Sequence, residues 1–377
     1  MSPAHERRRL MRVSIADPPG YTPPYDRALC AALARAGADV ELATSHFVYG
    51  DVPPAQGYRV SERFYTRAVG GPASRLRRVT KLASHVPDML AYRRAAARSA
   101  DVVHFQWLTA PWLDGWLLPD RPRVLTAHDL LPREPRLGQA RAQRRLFDHM
   151  DALVVHSEYG RRALSEGLGA AAEKVNVIPH GAFDELATRA PGVALPAELA
   201  TVEGPVVLFF GLLRPYKGVE TLLDAWRGIT GAELWIVGRP RMDLAPLRAA
   251  AGPGVRFVPR FVDDAELAAF FHRADVVALP YARTERLDFS GVLATALAFG
   301  RATVVSDVGG FPEVAAHGAA QLVPAGDPDA LRSALVALIG DPAAREALGT
   351  AALAAARGPY SWDAAARATL ELYERLI

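Results

Sequence analysis

With 377 residues, half of them hydrophobic and 23% charged, the chain has enough apolar surface for two domains of ordinary size and is not a disordered polymer. A single cysteine, Cys30, excludes an intrachain disulfide and suits a reducing compartment. The net charge of +3 hides an uneven distribution, and the apolar runs are of strand length, too short for a membrane-crossing helix.

The opening "MSPAHERRRLMRVSIADPPG" is basic but has no apolar stretch of signal-peptide length, so a cytoplasmic protein is expected. Within it "RVSIA" predicts a strand, followed by a Pro/Gly loop, the amphipathic helix "YDRALCAALARAG" with Cys30 as a small buried residue, and the strand "DVELAT". Between Arg59 and Arg98 ten Arg and Lys face two acids, Glu62 and Asp88, a local charge of +8. Such a run is either a solvated helix face or a patch for an anionic partner; its Arg75–Lys81 region would allow peripheral contact with an anionic membrane at the inner face. No nucleic-acid motif accompanies it, so nucleic acid is not an expected partner.

Further strands are expected at "DVVHFQ", "RVLTAHD", "ALVVHS" and "KVNVIPHG". "FQWLTAPWLDGWLL" places three tryptophans within fourteen residues; core packing is expected for at least two, and an aromatic acceptor platform is the alternative for Trp107. From Phe183 to Gly204 the chain is rich in Pro, Ala and Gly, as at a domain boundary. The alternation then restarts with "VVLFFG", "ELWIVG", "VRFVPR", "DVVALPY", "TVVSD" and "AQLVPAG", and "YSWDAAARATLELYERLI" closes as a helix. Strand–helix alternation with continuous apolar strands predicts an α/β protein of two Rossmann-like halves with about six strands each. The expected domains are 1–185 and 186–360, with the helix 361–377 packing back on the first. Ligands of parallel sheets bind beyond the carboxyl ends of the strands, so two facing sheets would line an interdomain cleft.

"VVLFFGLLRPYKGVETLLDAW" puts Arg214 and Lys217 at a strand-to-helix turn. A planar fork and a mobile point charge beside a helix N-terminus suit an anion with several oxygens; two exposed loop cations are the plainer reading. "DPD" at Asp327–Asp329 reads as a helix start rather than a metal motif.

Taken in order, "GLLRPYKGVETLLDAW", "FVDDAELAAFFHRADVVALPY", "ALAFGRATVVSDVGGFPEV" and "VPAGDPDAL" resemble the C-terminal half of retaining GT-B glycosyltransferases of family 4. "DVVHFQW", "VLTAHDLLP", "DALVVHSEYGRRAL" and "KVNVIPHGAF" extend the resemblance over nearly the whole chain. It implies the GT-B fold, an N-terminal acceptor domain and a C-terminal donor domain. It also implies transfer of a sugar from a nucleotide diphosphate sugar with its anomeric configuration kept. The acceptor would be a glycan, a lipid-linked sugar or a small molecule. By position Arg214 and Lys217 would hold the donor diphosphate and stabilise the departing nucleotide, so no metal and no cofactor are expected. His128 matches a family histidine near the reacting sugar, and Glu313 in "VGGFPEV" a donor-side motif, with Gly309 and Gly310 allowing the backbone to approach the ligand.

In one place the sequence departs from the family. Relatives carry two glutamates eight residues apart, one on the donor sugar and one on the ribose; here Leu287 and Thr295 stand in those slots. Ser290, Gly291 and Val292 still offer backbone N–H groups at a helix start, and Asp288, ahead of Glu285, is the expected replacement carboxylate. Gly20, alone where relatives often have two glycines, would approach the diphosphate. His104 is an acceptor-side candidate, His156 reads as structural, and His180 either contacts ligand or stabilises the domain crossing. The rival functions are a catalytically weak sugar-nucleotide-binding protein and a sugar-nucleotide epimerase. A serine hydrolase is not expected, because Ser157 and Ser290 lack nucleophile-elbow spacing.

Overall fold

The computed structural model describes the chain except residues 1–9, 49, 51, 72–73, 132–137, 189–192 and 285. The chain divides into two compact units. One comprises the chain up to Val155, Arg161–Ile178 and Trp362–Ile377; the other comprises His156–Gly160 and Pro179–Ser361. The main division thus falls at Ile178, ahead of the Pro/Gly-rich stretch, and the five residues His156–Gly160 group with the second unit.

The first unit is built on the strands β1 (Arg12–Asp17), β2 (Asp39–Ser45), β3 (Arg59–Phe64), β4 (Val102–Phe105), β5 (Arg123–Thr126), β6 (Ala152–Val155) and β7 (Val175–Val177). They form one parallel sheet in the order β3-β2-β1-β4-β5-β6-β7. The interior strands are runs of Val, Ile, Leu and Ala buried on both faces, as a sheet covered on both sides requires. β3, "RVSERF", was not expected: it is a charged edge strand, exposed except at its end, without an apolar pattern.

The helix Trp362–Glu374 packs against the helix Pro23–Arg35 in this unit. Trp362 meets the ring of Tyr25 edge-on at 4.9 Å between centroids, and Arg35 pairs with Asp363 at 2.8 Å. Deeper in, the Tyr373 hydroxyl and the Thr126 hydroxyl bracket the imidazole of His104 at 2.6 and 2.8 Å.

The second unit carries β8 (Val206–Phe210), β9 (Glu233–Val237), β10 (Val255–Val258), β11 (Val276–Leu279), β12 (Ala302–Ser306) and β13 (Gln321–Val323), all parallel, in the order β10-β9-β8-β11-β12-β13. Its core is filled by Phe209, Trp235, Phe270, Phe271, Phe311 and their aliphatic neighbours. Burying each such side chain contributes about 1.5–3 kcal/mol. Asp327 accepts from the N–H groups of Asp329 and Ala330, capping the helix Pro328–Gly340; "DPD" is a helix start.

Both strand orders reverse direction once, between β1 and β4 and between β8 and β11. At such switch points the loops after the two strands separate to opposite faces and leave a crevice at their carboxyl ends. In the first unit those loops carry Gly20 and Trp107; in the second they carry Arg214, Lys217 and the segment from Tyr281 to Ser290.

Candidate active site

In the second unit the loop after β8 is pinned by its backbone: Leu213 N–H donates to Arg239 O at 3.0 Å, and Arg241 N–H to Leu213 O at 2.9 Å. A tight turn, Pro215–Lys217, follows, and Gly218 starts the helix Val219–Trp226. Gly218 has φ +70°, and a Cβ there would sit 1.8 Å from Pro280 O, so only glycine lets the loops after β8 and β11 touch.

That contact buries Lys217. Its ammonium donates to the Tyr281 hydroxyl and lies 3.9 Å from the centroid of that ring. Tyr281 in turn bonds Ser290 Oγ at 3.1 Å, and burial raises the pKa of its phenol far enough to keep it neutral. Ser290 is the N-cap of the helix Gly291–Ala298, but its hydroxyl faces Tyr281 and makes no cap bond. The first-turn amides of Gly291 and Val292 therefore have no acceptor within their own helix. Nearby in sequence, Arg214 Nε is buried without a hydrogen-bond partner among the described residues. Lys217 and Ser290 are thus linked through Tyr281, which sequence reasoning passed over, and Arg214, Gly291 and Val292 lie beside them in sequence at the same switch point.

Other expected donor residues are committed elsewhere. The Thr295 hydroxyl donates to Gly291 O of its own helix at 2.8 Å and is buried, so it is spent on the helix rather than turned to a ribose. Asp288 does not replace the missing sugar-side glutamate. Its carboxylate is fully buried and accepts from the His156 N–H and the Ser157 hydroxyl. Burial outweighs these bonds and pushes its pKa up to about 7. Glu285 lies outside the described residues.

Glu313 accepts from the N–H groups of Glu158 and Tyr159, both at 3.1 Å, at the start of the helix Glu158–Arg162. Gly309 makes room for backbone and Gly310 for the Ser157 side chain. At φ +54°, a Cβ on Gly309 would lie 2.8 Å from Leu287 O, and one on Gly310 would lie 2.6 Å from Ser157 Cβ. His156 and His180 sit in the same interior, their rings 5.1 Å apart, with His180 stacked on Phe289. Burial lowers the pKa of His180 to about 3, so it stays neutral and packs.

In the first unit the Asp17 carboxylate accepts from Tyr21 N–H at 2.7 Å and Thr22 N–H at 3.3 Å, shaping the loop in which Gly20 takes φ +65°. Asp17 and Asp26 are both buried, and burial raises both pKa values. Across the switch point, Trp107 Nε1 donates to the Thr22 hydroxyl at 3.0 Å, and its ring stacks on His128 at 5.1 Å. Tyr25 meets His128 edge-on, and Gln106 Oε1 lies 3.0 Å from His128 Nε2. Gly20, Trp107 and His128 therefore come together, with Gln106 as an unforeseen neighbour. His104 does not join them: both ring nitrogens are engaged in the core, so the acceptor-side expectation is corrected. Trp112 and Trp116 are also corrected, from expected core to exposed surface. Among the described residues no three His, Cys, Asp or Glu side chains gather as a metal cluster would require, and no helix is long and apolar enough to cross a membrane.

Two parallel α/β units, the second with a cationic loop at its switch point, have the GT-B architecture of glycosyltransferases. Residues 27–185 match the family profile described as Glycosyltransferase Family 4, and residues 204–341 that described as Glycosyl transferases group 1. A D-inositol 3-phosphate glycosyltransferase of Kineococcus radiotolerans is 30% identical, over 93% of this chain and 89% of the relative. A phosphatidyl-myo-inositol mannosyltransferase of Mycobacterium leprae is 35% identical over 73% of each. Among solved structures, sucrose-phosphate synthase from Thermosynechococcus elongatus superposes with TM-score 0.74 at 23% identity, over 97% of this chain and 99% of that one. Anabaena HepE in complex with UDP-glucose gives 0.73 at 20%, over 97% and 100%. The chain belongs to glycosyltransferase family 4, and it is a glycosyltransferase.

Proposed function

We propose that the protein moves a sugar from a nucleoside diphosphate sugar to a hydroxyl acceptor with retention of configuration, and that Arg214 and Lys217 stabilise the departing diphosphate. The observation that carries this is the buried, unpartnered Nε of Arg214 three residues from the buried ammonium of Lys217. A dry site leaves both cations strong, so negative charge growing on a leaving phosphate is met without reorganisation. The first-turn amides of the helix Gly291–Ala298 add partial positive charge.

These cations take the part a metal plays elsewhere, so transfer is proposed to be metal-independent and without cofactor. His128, whose ring meets Trp107 and Tyr25, is read as a catalytic-site residue that contacts donor or acceptor near the reacting sugar. One named relative acts on D-inositol 3-phosphate and another on phosphatidyl-myo-inositol, which makes inositol phosphates the first acceptors to assay. A cytoplasmic location completes the reading.

The test begins with a thermal-shift screen of nucleotide sugars, which needs no known acceptor. Arg214→Ala and Lys217→Ala should each lower turnover about 10²–10³-fold, the usual loss for one transition-state donor, with melting behaviour kept. Unchanged turnover in both variants would refute the assignment.

A further inference from the structure

We propose that Asp17 and Asp26 form a carboxyl pair that shares a single proton and positions the loop carrying Gly20. Asp17 ends β1, and Asp26 lies in the first turn of the helix Pro23–Arg35, so the pair closes across the loop that joins them. Both residues are buried, Asp17 at 0% exposure and Asp26 at 1%. The inference rests on the proposed function in one respect, that the Gly20 loop is part of the substrate site.

The loop is held from both sides. Asp17 O takes the Gly20 N–H at 3.1 Å and the Thr44 hydroxyl at 3.0 Å, while the Asp17 carboxylate takes the amides of Tyr21 and Thr22. From the other side, Asp26 Oδ1 accepts from the Thr22 hydroxyl at 3.3 Å, and the Asp26 N–H donates to Thr22 O at 3.0 Å. The same Thr22 hydroxyl accepts from Trp107 Nε1, which ties the pair to the residues gathered around His128.

A count of donors calls for the proton. Asp17 Oδ1 is buried without a hydrogen-bond partner among the described residues, and the two carboxyl groups are within bonding reach of one another. Two ionised carboxylates only accept, so a bond between them needs one proton. No cation stands in for it: among the described residues neither carboxyl has an ion-pair partner. Arg27, beside Asp26, donates to Pro53 O, and the Lys81 ammonium, from the helix Arg75–Ser99, lies 4.8 Å from the centroid of the Tyr65 ring. Cys30, one turn along from Asp26, is kept a thiol by burial, and His128 faces this helix through Tyr25. Burial pushes both carboxyl pKa values up, and the charge on Asp17 pushes Asp26 further. The proton therefore resides on Asp26 and the charge on Asp17, where it tightens the bonds to the Tyr21 and Thr22 amides. The pair thus sets one negative charge, not two, beside the loop.

The test uses the full chain and begins without substrate. Infrared difference spectra of wild type against Asp26→Asn at neutral pH should show the loss of a protonated-carboxyl band. Loss of a carboxylate band instead would overturn the pair; Asp288, common to both proteins, cancels in the difference. Asp26→Ala takes the donor away from Asp17, so hydrogen exchange at the Tyr21 and Thr22 amides should quicken about tenfold. Asp26→Asn can still donate and should hold exchange within about twofold of wild type. In turnover, Asp26→Ala should raise the KM for the nucleotide sugar about tenfold with kcat kept within about threefold, and Asp26→Asn should rescue it. The positioning role is overturned by equal exchange in Asp26→Ala and wild type, by failure of the Asp26→Asn rescue, or by an unchanged donor KM. Should Asp26→Ala not fold, the infrared difference and the exchange rates of Asp26→Asn still decide the matter. Both are read without turnover, so their failure strikes the pair and leaves the glycosyl-transfer reading untouched.

Discussion

Asp288 holds Ser157: the serine hydroxyl donates to one oxygen of a fully buried carboxylate whose other oxygen takes the N–H of His156. With Glu313 on the N–H groups of Glu158 and Tyr159, and the Gly160 N–H on Ser157 Oγ at 2.9 Å, the segment His156–Gly160 is bound to the second unit through its own backbone. The carboxylate that stands beside the family's vacated glutamate slot is thus used for folding.

This makes stability depend on pH in a stated direction. The Asp288 pKa rises from 3.8 to about 7 on folding, so the folded state binds the extra proton between these values. The group's stabilisation is complete below about pH 4 and is lost as pH rises through about 7, by on the order of a few kcal/mol. Asp288→Asn copies the protonated acid and should flatten that part of the pH profile in denaturant titrations. Asp288→Ala, which leaves the His156 N–H without its acceptor, should cost about 1–3 kcal/mol. Parallel profiles for Asp288→Asn and the wild type would contradict the account.

Gly160 tests the same knot sterically. A Cβ there would lie 2.5 Å from Asp288 Oδ1, so Gly160→Ala should destabilise by about 1–3 kcal/mol. Combined with Asp288→Ala the clash disappears, and the double variant should be more stable than the sum of the singles predicts. Simple additivity in urea titrations would count against the contact.

The Tyr281 hydroxyl bonds Lys217 and Ser290, so under the proposed function Tyr281 is a positioning residue. Tyr281→Phe keeps the ring under the ammonium but removes the hydroxyl that receives it, so kcat at saturating donor should fall about tenfold, the worth of one hydrogen bond to a charged group. Lys217→Ala should cost more than Tyr281→Phe under the same assay. The reverse order would remove Lys217 from the centre of the site.

If Arg214 and Lys217 carry the leaving-group charge, chelation should not matter. Transfer measured in excess EDTA should stay within about twofold of the untreated rate, and added Mg²⁺ should not rescue Lys217→Ala. Loss of activity in EDTA, restored by a divalent cation, would replace the proposed mechanism.

Much of this was legible in the residues because buried parallel strands announce themselves. "VVLFF", "ELWIV" and "VVAL" are apolar throughout, and the loops that follow them carry the cations. β3 escaped notice because an edge strand facing water has no apolar pattern to read. The partners of Asp288 were hidden for a different reason: Ser157 lies 131 positions away, and no local rule couples them. His104 misled because a histidine near a strand end looks the same in sequence whether it faces solvent or the Tyr373 hydroxyl. The two tryptophans misled in the opposite sense, since helical spacing alone does not say which side of a helix is covered.

The return of the helix Trp362–Glu374 to the first unit has a consequence for synthesis. β1 to β7 leave the ribosome before the second unit is made, yet Tyr373, which closes the core over His104, and Trp362, which covers Tyr25, come after it. The unit begun first is therefore completed last. Until then the helix Pro23–Arg35 and the His104 imidazole lack the side chains that cover them.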